Sequence, residues 1–278
     1  IGLGGGSSLD TAKGCNFILT NGGHMKDYWG SGKATDDMLP LIAIPTTAGT
    51  GSECQSYAII ADSETHVKMA CGDKKAAARI AILDPELTLT QPANVTSHTG
   101  IDALSHAIET SVTTKRSDIS YQYSKLSFDL LNESFETVLK DPKNIEARSK
   151  MLLGAAYAGT AIESSMLGAA HAAANPLTAQ FGIIHGAAVG LMLPHVIKYN
   201  SDDPDTKKIY DDLYSEDLSR RVSELLAIAD IPSTLSRYDV GKSNVSSLSK
   251  DASSQWTGTF NPRKVGEGDF ADLYESAF

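Results

Sequence analysis

The sequence predicts an α/β region followed by an all-α one. The first is a partial Rossmann-like dinucleotide-binding domain over residues 1–94, and the second a helical metal- and substrate-binding domain over residues 95–278. Three observations carry this. Short apolar runs alternate with helical patterns through the first part. From Val95 onward helical periodicity takes over and strand signals nearly vanish. Pro92, Asn94 and Thr96, residue types that start helices well, mark the seam between the two textures.

Taken in order, residues 1–3 read as the end of a strand running into Gly4-Gly5-Gly6-Ser7 and then into a helix over 8–19. Residues 39–44 form a buried strand ended by Pro45, and 55–60 with 66–69 form a hairpin around Asp62-Ser63-Glu64. Residues 79–83, stopped by Asp84-Pro85, are another strand. Helices are predicted over 97–113, 121–139, 145–163, 165–174 and 219–229, with a polar break at Asn200-Ser-Asp-Asp-Pro204 and a serine-rich connector over 243–250. The active site is expected between the two parts. The chain opens on Ile1 with no initiator Met and no signal peptide, and a parallel sheet rarely begins with so short a strand. A missing N-terminal portion is therefore expected.

Composition removes several classes. A chain of 278 residues with 41% hydrophobic and 21% charged residues is an ordinary globular protein, long enough for two cores. No apolar run approaches the roughly 18–20 residues that cross a bilayer. The run from Met151 to Ile162 is rich in small residues and ends at Glu163, as in a buried helix. A net charge of −10 argues against nucleic acid, which needs basic patches. Cys15, Cys54 and Cys71 are odd in number and lack CxxC spacing. They suggest neither a disulfide framework nor a thiolate metal site, and fit a reduced, cytoplasmic protein.

Gly4-Gly5-Gly6-Ser7 sits between a strand and a helix. Glycines let the backbone approach an anion closely, and a helix N-terminus offers free N–H groups and the positive dipole end. The run fits a pyrophosphate cradle; a plain tight strand–helix turn would use the same residues. It is neither GxGxxG nor Walker A, which argues against an ATPase. A second polar turn, Pro45-Thr46-Thr47-Ala48-Gly49-Thr50-Gly51-Ser52-Glu53, offers hydroxyls to a ribose, phosphate or carboxamide, or simply caps a helix through Thr50 or Ser52.

The densest chemistry is Asp102 with His106, four apart on one helix face, together with His171 and His185. One hard oxygen and three imidazole nitrogens suit Zn²⁺ or Fe²⁺ better than Ca²⁺. Each has a plainer alternative. Asp102 can cap its helix, His106 and His171 can be core imidazoles bonded to carbonyls, and His185 can be structural beside Gly186. Four such residues among small apolar neighbours favour the metal. His195 is a candidate supporting residue behind the ligands, and His24, His66 and His98, in polar contexts, read as surface residues.

These segments together resemble the iron-containing (group III) alcohol dehydrogenase family over nearly the whole chain. Gly4-Gly-Gly-Ser-Ser-Leu-Asp-Thr-Ala-Lys13 looks like its pyrophosphate loop, and the run from Ala43 to Glu53 like its nicotinamide-side loop. Ala81-Ile-Leu-Asp-Pro-Glu-Leu87, Thr99-Gly-Ile-Asp-Ala-Leu-Ser-His-Ala-Ile-Glu109 and Leu191-Met-Leu-Pro-His195 follow in family order. The resemblance implies metal ligands at Asp102, His106, His171 and His185, and cofactor contacts at Gly5, Gly6, Ser7, Thr46, Thr47 and Thr50. It puts Lys68 within reach of the cofactor ribose. It also implies NAD or NADP, a divalent metal (Fe²⁺, with Zn²⁺ as the second candidate), a small alcohol or aldehyde substrate, and a homo-oligomer. Where the family carries a histidine four residues after its third ligand, this chain has Asn175, an amide that can orient a substrate oxygen but cannot act as an acid near neutral pH. Asn175 is thus the expected substrate-facing residue, unless it only ends a helix before Pro176. The competing readings are an oxo-acid or maleylacetate-type reductase of the same fold, and an inactive fragment lacking the first half of the nucleotide domain.

Overall fold

In the computed structural model, which describes residues 1–62 and 68–278, every strand precedes every α-helix but one. The first part runs β1 (Gly2–Gly4), α1 (Gly6–Asn21), β2 (Gly30–Ser31), β3 (Ile42–Pro45), β4 (Tyr57–Ala61), β5 (Lys68–Gly72) and β6 (Ile80–Ala81). The second is helical: α2 (Ala93–Thr110), α3 (Asp118–Lys140), α4 (Ile145–Ser165), α5 (Ala169–Phe181), α6 (His185–Asn200), α7 (Pro204–Leu213), α8 (Leu218–Ile228), α9 (Val245–Ser253) and α10 (Glu267–Ser276). This is the α/β plus all-α class the sequence predicts.

β1, β3 and β6 form a parallel sheet in that order, with Leu3 opposite Ile44 and Ile42 opposite Ile80. Side chains alternate between the faces of a strand. Small residues therefore share the face under α1: Ala43 is fully buried, and a Cβ on Gly2 would stand 3.1 Å from Ala12. The opposite face carries Leu3, Ile42, Ile44, Ile80 and Ile82. Leu3, Ile80 and Ile82 are among the exposed large hydrophobics. A second sheet, ordered β2-β5-β4, pairs β2 with β5 in parallel and β4 with β5 antiparallel. It closes a small core with Phe17, Tyr28, Ala58, Met69 and Cys71. The expected hairpin strands are thus paired, while Ser63 and Glu64 of its turn, and His66, lie outside the described residues.

The helical part packs around α2, which contacts α3, α4 and α6 and is buried at every residue from Gly100 to Thr110. A helix buried all round sits in the middle of a core. α5 is similar, with Ala169, Ala170, Ala172, Ala173 and Ala174 fully buried.

Three expectations need correction. Residues 243–250 are not a connector: α9 occupies most of them, burying Leu248 and Ala252, and the Ser249 hydroxyl donates to its own turn at Val245 O (2.7 Å). The helix predicted to end at 174 continues as α5 through Pro176 to Phe181. Pro176 gives up one hydrogen bond to Ala172 and crowds that carbonyl, and the buried apolar face of α5, which includes Pro176 and Leu177, outweighs that cost. Besides α9, three helices, α6, α7 and α10, lie outside the expected set; α6 carries Pro194 inside it. No helix among the described residues is long and apolar enough to cross a membrane.

Candidate active site

The four predicted ligand-type residues, drawn from three helices, converge on one carboxylate oxygen. Asp102 Oδ1 lies 3.5 Å from His106 Nε2 one turn further along α2, 3.7 Å from His171 Nε2 on α5, and 3.9 Å from Nε2 of His185, the first residue of α6. The ligand atoms of Asp102, His106 and His171 all lie within 4.8 Å of one another. The His171 ring stands 4.9 Å from that of His106 and 5.4 Å from that of His185, between centroids.

These separations exceed hydrogen-bond range. Asp102 Oδ1 and His171 Nε2 are accordingly buried without a hydrogen-bond partner. Two donors each about 2.1 Å from a tetrahedral ion stand about 3.4 Å apart. The orphaned atoms therefore fit a divalent metal, as does the one-carboxylate, three-imidazole donor set.

The electrostatics point the same way. Burial raises the Asp102 carboxyl, but His106, His171 and His185 outweigh it and hold the group ionised, well below the usual carboxylate range. Burial pushes His106 down, and pushes half-buried His185 down to about 3, against the pull of Asp102. A bound metal needs an ionised carboxylate and neutral imidazoles, and this is the state the surroundings favour at those three positions. In the metal-free chain His171 differs: burial lowers it, yet Glu109 and Asp102 prevail and raise it to about 9.

Glu109 is the residue that sequence reasoning missed. It is buried on α2, and its Oε2 accepts the His171 Nδ1 hydrogen at 2.5 Å while Oε1 accepts Ala170 N–H at 2.7 Å. A carboxylate behind a ligating imidazole fixes the ring and turns its other nitrogen toward the metal. The signal was present: 102, 106 and 109 follow the i, i+4, i+7 spacing of one helix face.

The dinucleotide side is built around the α1 N-terminus. Gly5 is its N-cap with no side-chain cap, so the first N–H groups are free for an anion. Gly6 must be glycine, because a Cβ there would stand 2.6 Å from Thr50 Cγ2. Behind the turn, Lys13 is fully buried and donates to Ser52 O (2.7 Å), Ser52 Oγ (2.8 Å) and Tyr57 O (2.8 Å), beside Asp10 at 3.3 Å. It ties α1, the threonine loop and β4 together.

A single cavity of about 260 Å³ is lined both by Gly6, Ser7, Thr50 and Lys68 and by Asp102, His106, His171 and His185. Its remaining walls include Tyr57, Ile162, Glu163, Met166, Leu167 and Trp256. Met166 holds a left-handed φ of 66°, unusual for a side-chain-bearing residue.

Other predicted residues lie elsewhere. Gly5, Thr46 and Thr47 do not line this cavity. Thr46 N–H donates to Gly4 O at 2.9 Å, and a Cβ on Gly5 would meet Thr47 at 3.2 Å, so both threonines buttress the glycine turn. Asn175 does not line it either: its Nδ2 donates to Gln255 Oε1 at 3.0 Å, which the sequence could not reveal because the partner lies 80 residues away. His195 is not behind the ligands. It bonds Ser276 and lines a separate depression of about 320 Å³ with Lys198, Tyr199 and Asp272. His24 is exposed and His98 half-buried.

Comparison with known proteins agrees with this geometry. The family profile for iron-containing alcohol dehydrogenases matches residues 1–85, and the profile for the C-terminal part of the Fe-containing alcohol dehydrogenase family matches residues 96–278. The NAD-dependent methanol dehydrogenase of Bacillus methanolicus is 32% identical, matching 100% of this chain and 76% of its own. Alcohol dehydrogenase 4 of Schizosaccharomyces pombe is 35% identical, matching 73% of this chain and 48% of its own. The chain thus spans about three quarters of the first relative and about half of the second. Among solved structures, a 1,3-propanediol oxidoreductase superposes with a TM-score of 0.94 at 28% identity, over 99% of this chain and 76% of that one. The sulfoacetaldehyde reductase of Bifidobacterium kashiwanohense, in complex with NAD⁺, superposes with a TM-score of 0.90 at 27% identity, over 99% and 75%. The chain belongs to the iron-containing alcohol dehydrogenase family.

Proposed function

We propose that this protein transfers a hydride between NAD(P) and a small alcohol or aldehyde in a metal-dependent reaction. One observation carries the reading: the free N-terminus of α1 and the Asp102–His106–His171–His185 cluster open into one cavity. When bound there, a divalent ion (iron, by family) supplies Lewis-acid polarisation of the substrate oxygen, and a nicotinamide supplies the hydride acceptor or donor.

The chain's own residues do the rest. Asp102 and the three histidines hold the ion, and Glu109 keeps the His171 proton on Nδ1 so that Nε2 faces the centre. The N–H groups at Gly6 and Ser7 receive a phosphate, with Thr50 beside them. Lys68, at the exposed start of β5, lines the same cavity and serves the cofactor ribose. The apolar walls exclude water and hold the substrate carbon against the nicotinamide, where orientation does much of the catalytic work. Cys15, Cys54 and Cys71 are free thiols, which supports a reducing, cytoplasmic setting.

The test is to load the chain with Fe²⁺ under anaerobic conditions and follow NADH or NADPH absorbance with a panel of alcohols and aldehydes. The reading predicts metal-dependent turnover with one of the two cofactors. Metal uptake without any nicotinamide-linked turnover contradicts it.

A further inference from the structure

One wall of the cavity is aromatic and comes from both parts of the chain. Trp256 opens the short turn Trp256–Phe260 after α9. Its indole stacks on Tyr57 of β4, with centroids 6.2 Å apart and planes at 26°, and meets Phe260 edge-on at 5.6 Å. Yet Trp256 remains 44% exposed while lining the cavity that holds Asp102, His106 and His171. A large side chain braced on two rings and open on the cavity is placed to limit what enters, not to fill a core.

Its support begins beside the metal cluster. Asn175 stands one turn beyond His171 on α5, and its amide donates to the side chain of Gln255, the residue before Trp256. The Gln255 Nε2 reaches back to Asp251 O at 3.4 Å, anchoring the turn to α9. Charge narrows the ligand further. Among the described lining residues Lys68 is the only lysine or arginine, against Asp10, Asp102 and Glu163. With Lys68 serving the cofactor and a divalent ion offset by the carboxylates, no lysine or arginine of this lining is left to pair with an anionic substrate.

We propose that Trp256 is the specificity-determining residue, restricting the substrate to short, neutral alcohols or aldehydes, and that Asn175 is a positioning residue acting through Gln255. This rests on the dehydrogenase reading above.

The Fe²⁺-loaded chain is assayed with NAD(P) and primary alcohols from ethanol to hexanol. Trp256→Ala raises the hexanol-to-ethanol ratio of kcat/KM by about tenfold or more, through the alcohol KM and with the cofactor KM unchanged. Asn175→Ala and Gln255→Ala each shift the ratio in the same direction, and the double variant goes no further than Gln255→Ala alone, because both act through one hydrogen bond. A second readout is independent of turnover: in a Trp29→Phe background, hexanol alters the remaining indole emission, and adding Asn175→Ala shifts that emission to the red. Should Trp256→Ala fold poorly, Trp256→Leu gives the same comparison. An unchanged ratio in a folded, metal-loaded Trp256 variant overturns this inference and leaves the dehydrogenase reading standing. A wild-type enzyme that turns over no alcohol or aldehyde removes both.

Discussion

Nδ1 of His171 donates to Glu109 Oε2 at 2.5 Å, while Nε2 of the same ring faces Asp102 Oδ1 at 3.7 Å. A carboxylate can only accept, so Glu109 fixes the proton on Nδ1 and leaves the Nε2 lone pair for a metal. Glu109→Gln should therefore weaken metal binding by about 10–100-fold while the fold persists. Competition with a chelator of known affinity measures it. Wild-type affinity in that variant would show that the imidazole needs no such partner.

Lys13 places a buried ammonium among three oxygen acceptors, with Asp10 alongside. Burial lowers its pKa, and Asp10 opposes that shift. Lys13→Met strips a buried donor from Ser52 and Tyr57 and leaves the Asp10 carboxylate without its cation, with only Ser52 Oγ and Ile59 N–H still donating to it. The expected cost is about 3–5 kcal/mol, the range for breaking a buried pair on one side. Urea unfolding checks it, and a loss below about 1 kcal/mol would mean that the network relaxes freely.

Gly159 lies inside α4, where alanine ordinarily stabilises a helix by about 0.8–1.0 kcal/mol. Here a Cβ would fall 2.3 Å from Gly51 O, on a turn that itself needs a left-handed φ of 61°. Gly159→Ala should reverse the usual sign and destabilise by about 1–3 kcal/mol, because backbone must move. A rise in the thermal midpoint would show that the loop has room to retreat.

Much of this site is written in short spacings, and the rest in contacts that no spacing records. Asp102 and His106 announce themselves as i, i+4, and the glycine run before α1 marks the anion site. Glu109 completes the same stripe but reads as an ordinary helix-surface acid until the burial of α2 is known. Asn175 meets Gln255 across 80 residues, so its role lay out of reach. α9 was hidden by its serines, which favour turns in isolation, and tertiary burial of Leu248 and Ala252 overrides that preference. α6 was hidden by small residues and by Pro194, since neither gives a clear period.

Glu53 gives a pH signature away from the metal cluster. It is buried, its Oε1 has no hydrogen-bond partner, and burial pushes its pKa up to about 7 against backbone hydrogen bonding and Lys13. The folded state then holds a proton that the unfolded state releases near pH 4.5, so stability falls as pH rises from about 4.5 through 7. The total is about 3 kcal/mol, since a tenfold change in proton affinity is worth about 1.36 kcal/mol. Glu53→Gln has no such proton to lose, and its stability relative to wild type should grow by that order between pH 5 and pH 8. Urea denaturation at both values measures the difference, and a pH-independent one would contradict the assignment.

The central claim is that Asp102, His106, His171 and His185 form one metal centre. Its most direct test is anaerobic calorimetric titration of Fe²⁺ into the metal-free chain and into Asp102→Ala and His171→Ala variants, with folding checked by circular dichroism. One ion per wild-type chain is expected, with loss of tight binding in both folded variants. Undiminished binding in either folded variant, or no binding by the wild type, would contradict the claim.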